Sequence, residues 1–127
     1  FLIATLCFLA SPRSVLRETN RILVPGGRVV LGLILKESPW GQFYERKKAR
    51  GHRFYRYASF YSFDEVSRLL AQTGFLVERV ASTLFEKPEG VHRIEKPEEG
   101  YSPDAGFTMI VASKQSVTRK RRRRQVV

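Results

Sequence analysis

Three features of the sequence predict an α/β fold, an open sheet with flanking helices. Residues 1–35 read as an apolar strand, a capped helix, a tight glycine turn and a second apolar strand, which is a βαβ unit. Ser62-Phe63-Asp64-Glu65 opens a further amphipathic helix that Gly74 ends, and a strand follows it. A last apolar run, Phe107–Ala112, supplies another strand after a long polar excursion.

The first run, Phe1–Ala10, is short, apolar and followed by Ser11-Pro12. As a secretory signal it would lack the basic residues that normally precede the apolar stretch, so a buried strand over Phe1–Leu9 is the better reading. A chain that starts inside a strand and without Met is expected to have more sequence upstream. Ser11 is a good N-cap and Pro12 suits the first helical position, where a missing N–H costs nothing. Val15, Leu16, Ile22 and Leu23 then form one apolar stripe, with Arg13, Arg17, Glu18, Asn20 and Arg21 on the other face. Pro25-Gly26-Gly27 stops the helix, and Arg28–Leu35 is apolar after its first residue, as a strand covered on both faces should be.

Beyond it, Pro39 opens a helix through Ala49, with Trp40, Phe43 and Tyr44 on one side and Gly51 as its stop. His52–Tyr61 mixes aromatic and basic residues without a period and reads as an irregular covering segment. The helix opened by Ser62 is expected to bury Phe63, Val66, Leu69 and Leu70, and Phe75–Leu84 is a strand. Residues 86–105 are rich in Glu, Lys, Pro and Gly and form a loop. After Ser113 the chain reads as a solvated tail.

Composition narrows the function. With 127 residues, 43% of them apolar and 12% aromatic, one domain can build a core, and disorder of the whole chain is excluded. A single cysteine, Cys7, excludes a disulfide scaffold. The longest apolar run is half of the ~20 residues that a membrane-spanning helix needs. Of the 23 Lys and Arg, six lie at 119–124, and the remaining 17 face 12 acidic residues. A second basic cluster, Arg46, Lys47, Lys48, Arg50, Arg53 and Arg56, has only Glu45 among its near neighbours. His52 and His92 are far apart and have no Cys or carboxylate at ligand spacing, so no metal site is expected.

The segment Val15–Leu31 contains Leu16, Glu18, Arg21, Leu23, Pro25, Gly26 and Gly27 in the register L-x-E-x-x-R-x-L-x-P-G-G. In this it resembles the class I S-adenosylmethionine-dependent methyltransferases, where the pattern lies between the fourth and fifth strands. The Ser-Phe-Asp-Glu-Val…Leu-Leu…Gly-Phe pattern at 62–75 is also similar to that family's. The resemblance implies the C-terminal half of a Rossmann-like sheet. Strands 4, 5, 7 and 6 with flanking helices would fall in a partial domain over residues 1–113, with a basic disordered tail at 114–127. The family's glycine-rich turn after strand one and its acidic residue after strand two have no counterpart here. Strand 4 is then left as an open edge where strand 1 should pair, and one face of the half-sheet loses its covering helices.

By the same resemblance the cofactor is S-adenosylmethionine and the acceptor a small molecule, with a cytoplasmic location, no membrane contact and no activity of this half alone. Ile3, Ala4 and Thr5 would lie beside the cofactor, with Cys7 and Phe8 nearer the acceptor. Trp40, Tyr44 and Tyr57, with Phe43 and Tyr55, would shape the acceptor pocket or pack as the core of a covering helix. Methyl transfer from a sulfonium needs alignment more than acid–base help, so no catalytic residue is singled out, and His52 as a base has no support. A reading from another class makes the chain a non-catalytic basic module. It would bind RNA or acidic surfaces through residues 46–56 and through Arg119–Arg124, whose contact with nucleic acid would be non-specific and salt-dependent. The open strand-4 edge would equally serve a dimer or a complementing half.

Overall fold

The computed structural model describes residues 1–90 and 93–116. Its elements are β1 (Leu2–Ile3), α1 (Pro12–Ile22), β2 (Arg28–Leu33), α2 (Pro39–Ala49), α3 (Phe63–Gln72), β3 (Phe75–Thr83), β4 (Glu98–Glu99) and β5 (Phe107–Lys114). Two single turns of 3-10 helix, Leu6–Phe8 and Tyr55–Tyr57, stand between them. The strands form one sheet in the order β1-β2-β5-β3-β4. β1 runs parallel to β2, with Leu2 opposite Leu31, and the other pairs are antiparallel. The order β1-β2-β5-β3 is that expected of strands 4, 5, 7 and 6.

Each helix starts where its sequence says it should. Ser11, Ser38 and Ser62 accept the backbone N–H groups of Ser14, Gly41 and Glu65, and Pro12 and Pro39 take the first helical positions. At Ser62 the reciprocal bond from its N–H to Glu65 completes the capping box. α1 ends at Ile22. Gly26 then adopts φ +75°, a left-handed turn open to glycine without strain, and Gly27 donates to the Val24 carbonyl before β2 begins.

The core lies on one face of the sheet. Val29, Leu31 and Leu33 of β2 and Ile110 and Ala112 of β5 pack against Leu16 of α1 and Val66 and Leu70 of α3, with Leu6, Leu35 and Phe75 closing the cluster. Alternation along the strands sends Val30, Phe107, Met109 and Val111 to the opposite face, where they are only half-buried. That face has no helix in the core cluster, as the half-sheet reading expects.

Several expectations are corrected. The first strand does not run from Phe1 to Leu9 but ends at Ile3. Ala4 takes φ +49°, the Thr5 hydroxyl donates to the Ile3 carbonyl at 2.8 Å, and the next three residues coil into a 3-10 turn. An apolar run is ambiguous between strand and turn, and here the local side-chain hydrogen bond decides. The apolar stripe of α1 is narrower than its spacing suggests. The helix stops before Leu23, which turns back onto the core and leaves Ile22 65% exposed. Within the loop at 86–105, Glu98–Glu99 pairs with β3, and Arg79 bonds Glu99 across that pair at 2.6 Å. β3 ends at Thr83, before Leu84 at φ +64°. β5 runs past Ser113, because Lys114 donates its N–H to Gly27 and its ammonium to the Leu23 carbonyl. Arg119–Arg124 and His92 lie outside the described residues.

Gly41, in the first turn of α2, sits so close to the end of β2 that a Cβ would stand 2.0 Å from the Leu35 carbonyl oxygen. Gly41→Ala is therefore expected to lower stability by about 2–3 kcal/mol in chemical denaturation, through displacement of α2. Gly90→Ala, where a Cβ meets nothing within 4 Å, should stay within about 0.5 kcal/mol of the parent.

Candidate active site

Because β1 and β2 are parallel, their carboxyl ends emerge on the same edge of the sheet, the edge where open α/β sheets hold their ligands. The Ala4 N–H extends the ladder by one bond, to the Gly32 carbonyl at 2.8 Å, and the left-handed turn at Ala4 then swings the chain away from the sheet. Leu6 turns inward and is fully buried, so Cys7 and Phe8 take the outer side of the turn. Opposite them lies the covering segment 52–61, anchored by the Ser59 N–H to the Cys7 carbonyl at 2.7 Å and by the buried Ala58 and Phe60.

A cavity of about 90 Å³ lies between these pieces, walled by Ala4, Thr5, Cys7 and Phe8 on one side and Tyr55, Phe60 and Tyr61 on the other. Its floor is the end of β2, from Gly32 to Ile34. No lining residue is acidic, basic or histidine. Burial pushes the Cys7 thiol pKa up, against the opposing pull of a backbone hydrogen bond, so the thiol stays neutral at ordinary pH. A ladder of rings backs the outer wall. Tyr44 lies 4.5 Å from Tyr55 and stacks on Phe60 at 6.3 Å, and its hydroxyl pKa is raised by burial and by its bond to Tyr55.

The residues expected to form the site separate into groups. Ala4, Thr5 and Phe8 line the cavity, together with Tyr55. Ile3 lies at the free edge of β1, half-exposed, with its side chain over Gly32. Tyr44 stands one ring behind the cavity wall. Trp40 and Tyr57 do not reach it: the Trp40 ring covers Gly106 and donates its N–H to the Glu86 carbonyl at 2.8 Å, and Tyr57 projects to solvent under the Arg56 guanidinium. Gly32, Leu33, Ile34, Phe60 and Tyr61 were missed by sequence reasoning. The parallel strand pair carried the signal for Leu33 and Ile34, since both carboxyl ends must meet at one edge.

No family model matches the chain. Relatives and solved structures do. An uncharacterized protein of Mycobacterium tuberculosis is 40% identical over 114 residues, which cover 88% of this chain and 40% of that protein. One of Methanocaldococcus jannaschii is 36% identical over 115 residues, 90% of this chain and 55% of that protein. A Thermotoga maritima structure, described as an S-adenosylmethionine-dependent methyltransferase and a possible histamine N-methyltransferase, superposes with a TM-score of 0.81 at 35% identity. It covers 89% of this chain and 53% of that one. A Methanosarcina mazei S-adenosylmethionine-dependent methyltransferase superposes with a TM-score of 0.57 at 17% identity, over 90% and 57% of the two chains.

The fold is that of the class I S-adenosylmethionine-dependent methyltransferases.

The chain spans about half the length of the relatives it matches. Within this methyltransferase fold the L-x-E-x-x-R-x-L-x-P-G-G residues are structural. Glu18 and Arg21 pair with each other on the exposed side of α1, which lowers the Glu18 pKa, and Pro25-Gly26-Gly27 makes the turn into β2. Neither reaches the cavity. Among the described residues no group of His, Cys, Asp or Glu could hold a metal ion, and no helix is long and apolar enough to cross a membrane.

Beside the cavity, Glu37 locks the end of the β2 segment to its surroundings. One of its oxygens, Oε1, accepts both the Phe63 N–H, at 3.1 Å, and the Tyr101 hydroxyl, at 2.9 Å. The Tyr101 ring in turn stacks on Phe63 at 4.3 Å. Desolvation, then the bond to Glu37, pushes the Tyr101 pKa up from 10 to about 12. A raised folded-state value favours the neutral phenol. Its contribution to stability is complete below the ordinary tyrosine pKa and is lost as pH rises from 10 to about 12. In a phenolate absorbance titration one tyrosine should ionise near pH 12, and Tyr101→Phe should remove that step.

Proposed function

We propose that this chain is the acceptor-side half of an S-adenosylmethionine-dependent methyltransferase acting on a small molecule. The observation that carries the reading is an apolar cavity at the carboxyl ends of a parallel strand pair, within a fold that matches a methyltransferase at a TM-score of 0.81. When bound, the cofactor supplies a methyl group already activated on a positively charged sulfur. The donor set fits that reacting end, since Ala4 and Thr5 offer small side chains and one hydroxyl beside apolar walls, with no cation to repel the sulfonium. It offers no carboxylate for the ribose hydroxyls, a contact assigned here to the half of the fold that β1 would pair with.

On this reading Ile3, Ala4 and Thr5 flank the cofactor. Phe8, Tyr55, Phe60 and Tyr61 hold the acceptor, while Tyr44 supports Tyr55 and Phe60 from behind. Without an acid, a base or a histidine in the lining, these residues act by aligning the acceptor with the methyl group and excluding water. The free edge of β1 is the pairing surface for the remaining half of the sheet.

Methyl transfer from radiolabelled S-adenosylmethionine, across a panel of small thiols, phenols, amines and carboxylates, tests this function in the protein completed by its cofactor-loop half. Phe8 is half-exposed, so Phe8→Ala should leave folding intact while raising the acceptor KM about tenfold, or ~1.4 kcal/mol. Tyr57→Ala, away from the cavity, should change neither KM nor kcat. Transfer to no member of the panel by a folded protein contradicts the small-molecule reading, and a Phe8→Ala protein with an unchanged KM removes this cavity from it.

A further inference from the structure

The cavity is apolar, but the chain around it is strongly basic. Residues 36–61 form the end of β2, all of α2 and the covering segment, and contain seven Lys or Arg against two Glu. Glu37 is turned to Phe63 and Tyr101, as described above. Among the described residues none of the seven cations has an ion pair with a carboxylate. Three belong to the outer wall itself. Arg53 and Arg56 bracket the lining residue Tyr55 in the chain, and Lys36 is fixed by its N–H to the carbonyl of Tyr61 at 2.9 Å. All three side chains are exposed. The two guanidinium groups lie over aromatic rings, Arg53 5.9 Å from the Phe54 centroid and Arg56 4.6 Å from that of Tyr57, which leaves their charge unneutralised.

An apolar recess beside such a surface discriminates by charge. A cationic amine entering it would lose hydration, find no carboxylate in the lining and meet a repulsive potential. An anion carried on an apolar group gains on both counts. The size of the recess, about 90 Å³, admits the leading edge of one ring and not a fused system.

Resting on the function proposed above, we infer that the acceptor is a compact aromatic or apolar molecule with an anionic group, seated ring-first between Phe8 and Tyr55 with its charge toward Arg53, Arg56 and Lys36. The acceptor class is thus the opposite in charge to an alkylamine.

Phenylacetate and phenethylamine share a ring and differ in the sign of their charge. Each is titrated into the 127-residue chain while the NMR signals of the Phe8, Tyr55, Phe60 and Tyr61 rings are followed. Phenylacetate should bind about tenfold more tightly than phenethylamine at low salt. The preference should shrink as ionic strength rises to about 0.5 M. In an R53Q/R56Q variant, whose substituted side chains are exposed, phenylacetate affinity should fall at least ~3-fold while phenethylamine affinity does not fall. Equal or tighter binding of phenethylamine at the same rings overturns the inference and leaves the acceptor cavity standing, as does a phenylacetate affinity unmoved by R53Q/R56Q. If neither probe shifts these rings, the cavity is not an acceptor site and both readings fall together.

Discussion

The site depends on a parallel pairing only two residues long. Leu2 and Ile3 lie beside Leu31 and Gly32, and one more bond, from Ala4 to Gly32, ends the ladder. This register brings both carboxyl ends to one edge, and everything that shapes the cavity follows from where the chain goes next. Gly32 makes the arrangement possible. A Cβ there would stand 2.9 Å from Ile3 and 2.7 Å from Phe107, so any side chain would push β1 and β5 off β2. The left-handed turn at Ala4 then converts the end of a strand into the wall of a recess.

Much of this architecture was legible in the sequence, and the reasons are local. Ser11-Pro12, Ser38-Pro39 and Ser62…Glu65 state where helices begin, because a hydroxyl next to an orphan N–H has one low-energy use. The alternation in Phe107–Ala112 separates the core face from the uncovered face. Less legible was whatever depends on contacts distant in sequence. Nothing in Phe1–Leu9 distinguishes two residues of strand followed by a turn from nine residues of strand, since both are apolar. Pairing with Leu31 and Gly32 and the Thr5 hydroxyl bond select the former. β4 was hidden for the same reason: two glutamates in a polar loop become a strand only because β3 passes beside them.

The aromatic residues show a similar division. Phe43, Trp40 and Tyr44 share a side of α2 as their spacing requires, but that side faces Gly106, Glu86 and the back of Tyr55 and Phe60, not the cavity. Spacing gives the face of a helix and not the partner of that face. Tyr55 and Phe60, in a segment with no period at all, form the wall instead. The charges divide from the rings in the same way. The basic residues of 46–56 stay at the surface, while the aromatics between them are drawn either into the recess or out under a guanidinium. The result is an uncharged pocket within a positively charged surround.

The central claim is that this half of the fold supplies the reacting end of a cofactor site whose other contacts lie in the half β1 pairs with. Calorimetric titration of S-adenosylmethionine tests it most directly, once into this chain alone and once into a chimera in which it replaces the corresponding part of the Thermotoga maritima methyltransferase. The account predicts binding by the chimera, weakened by a bulky residue at Ala4, and none by the chain alone. A folded chimera that binds no cofactor, or one whose affinity ignores Ala4, would contradict it.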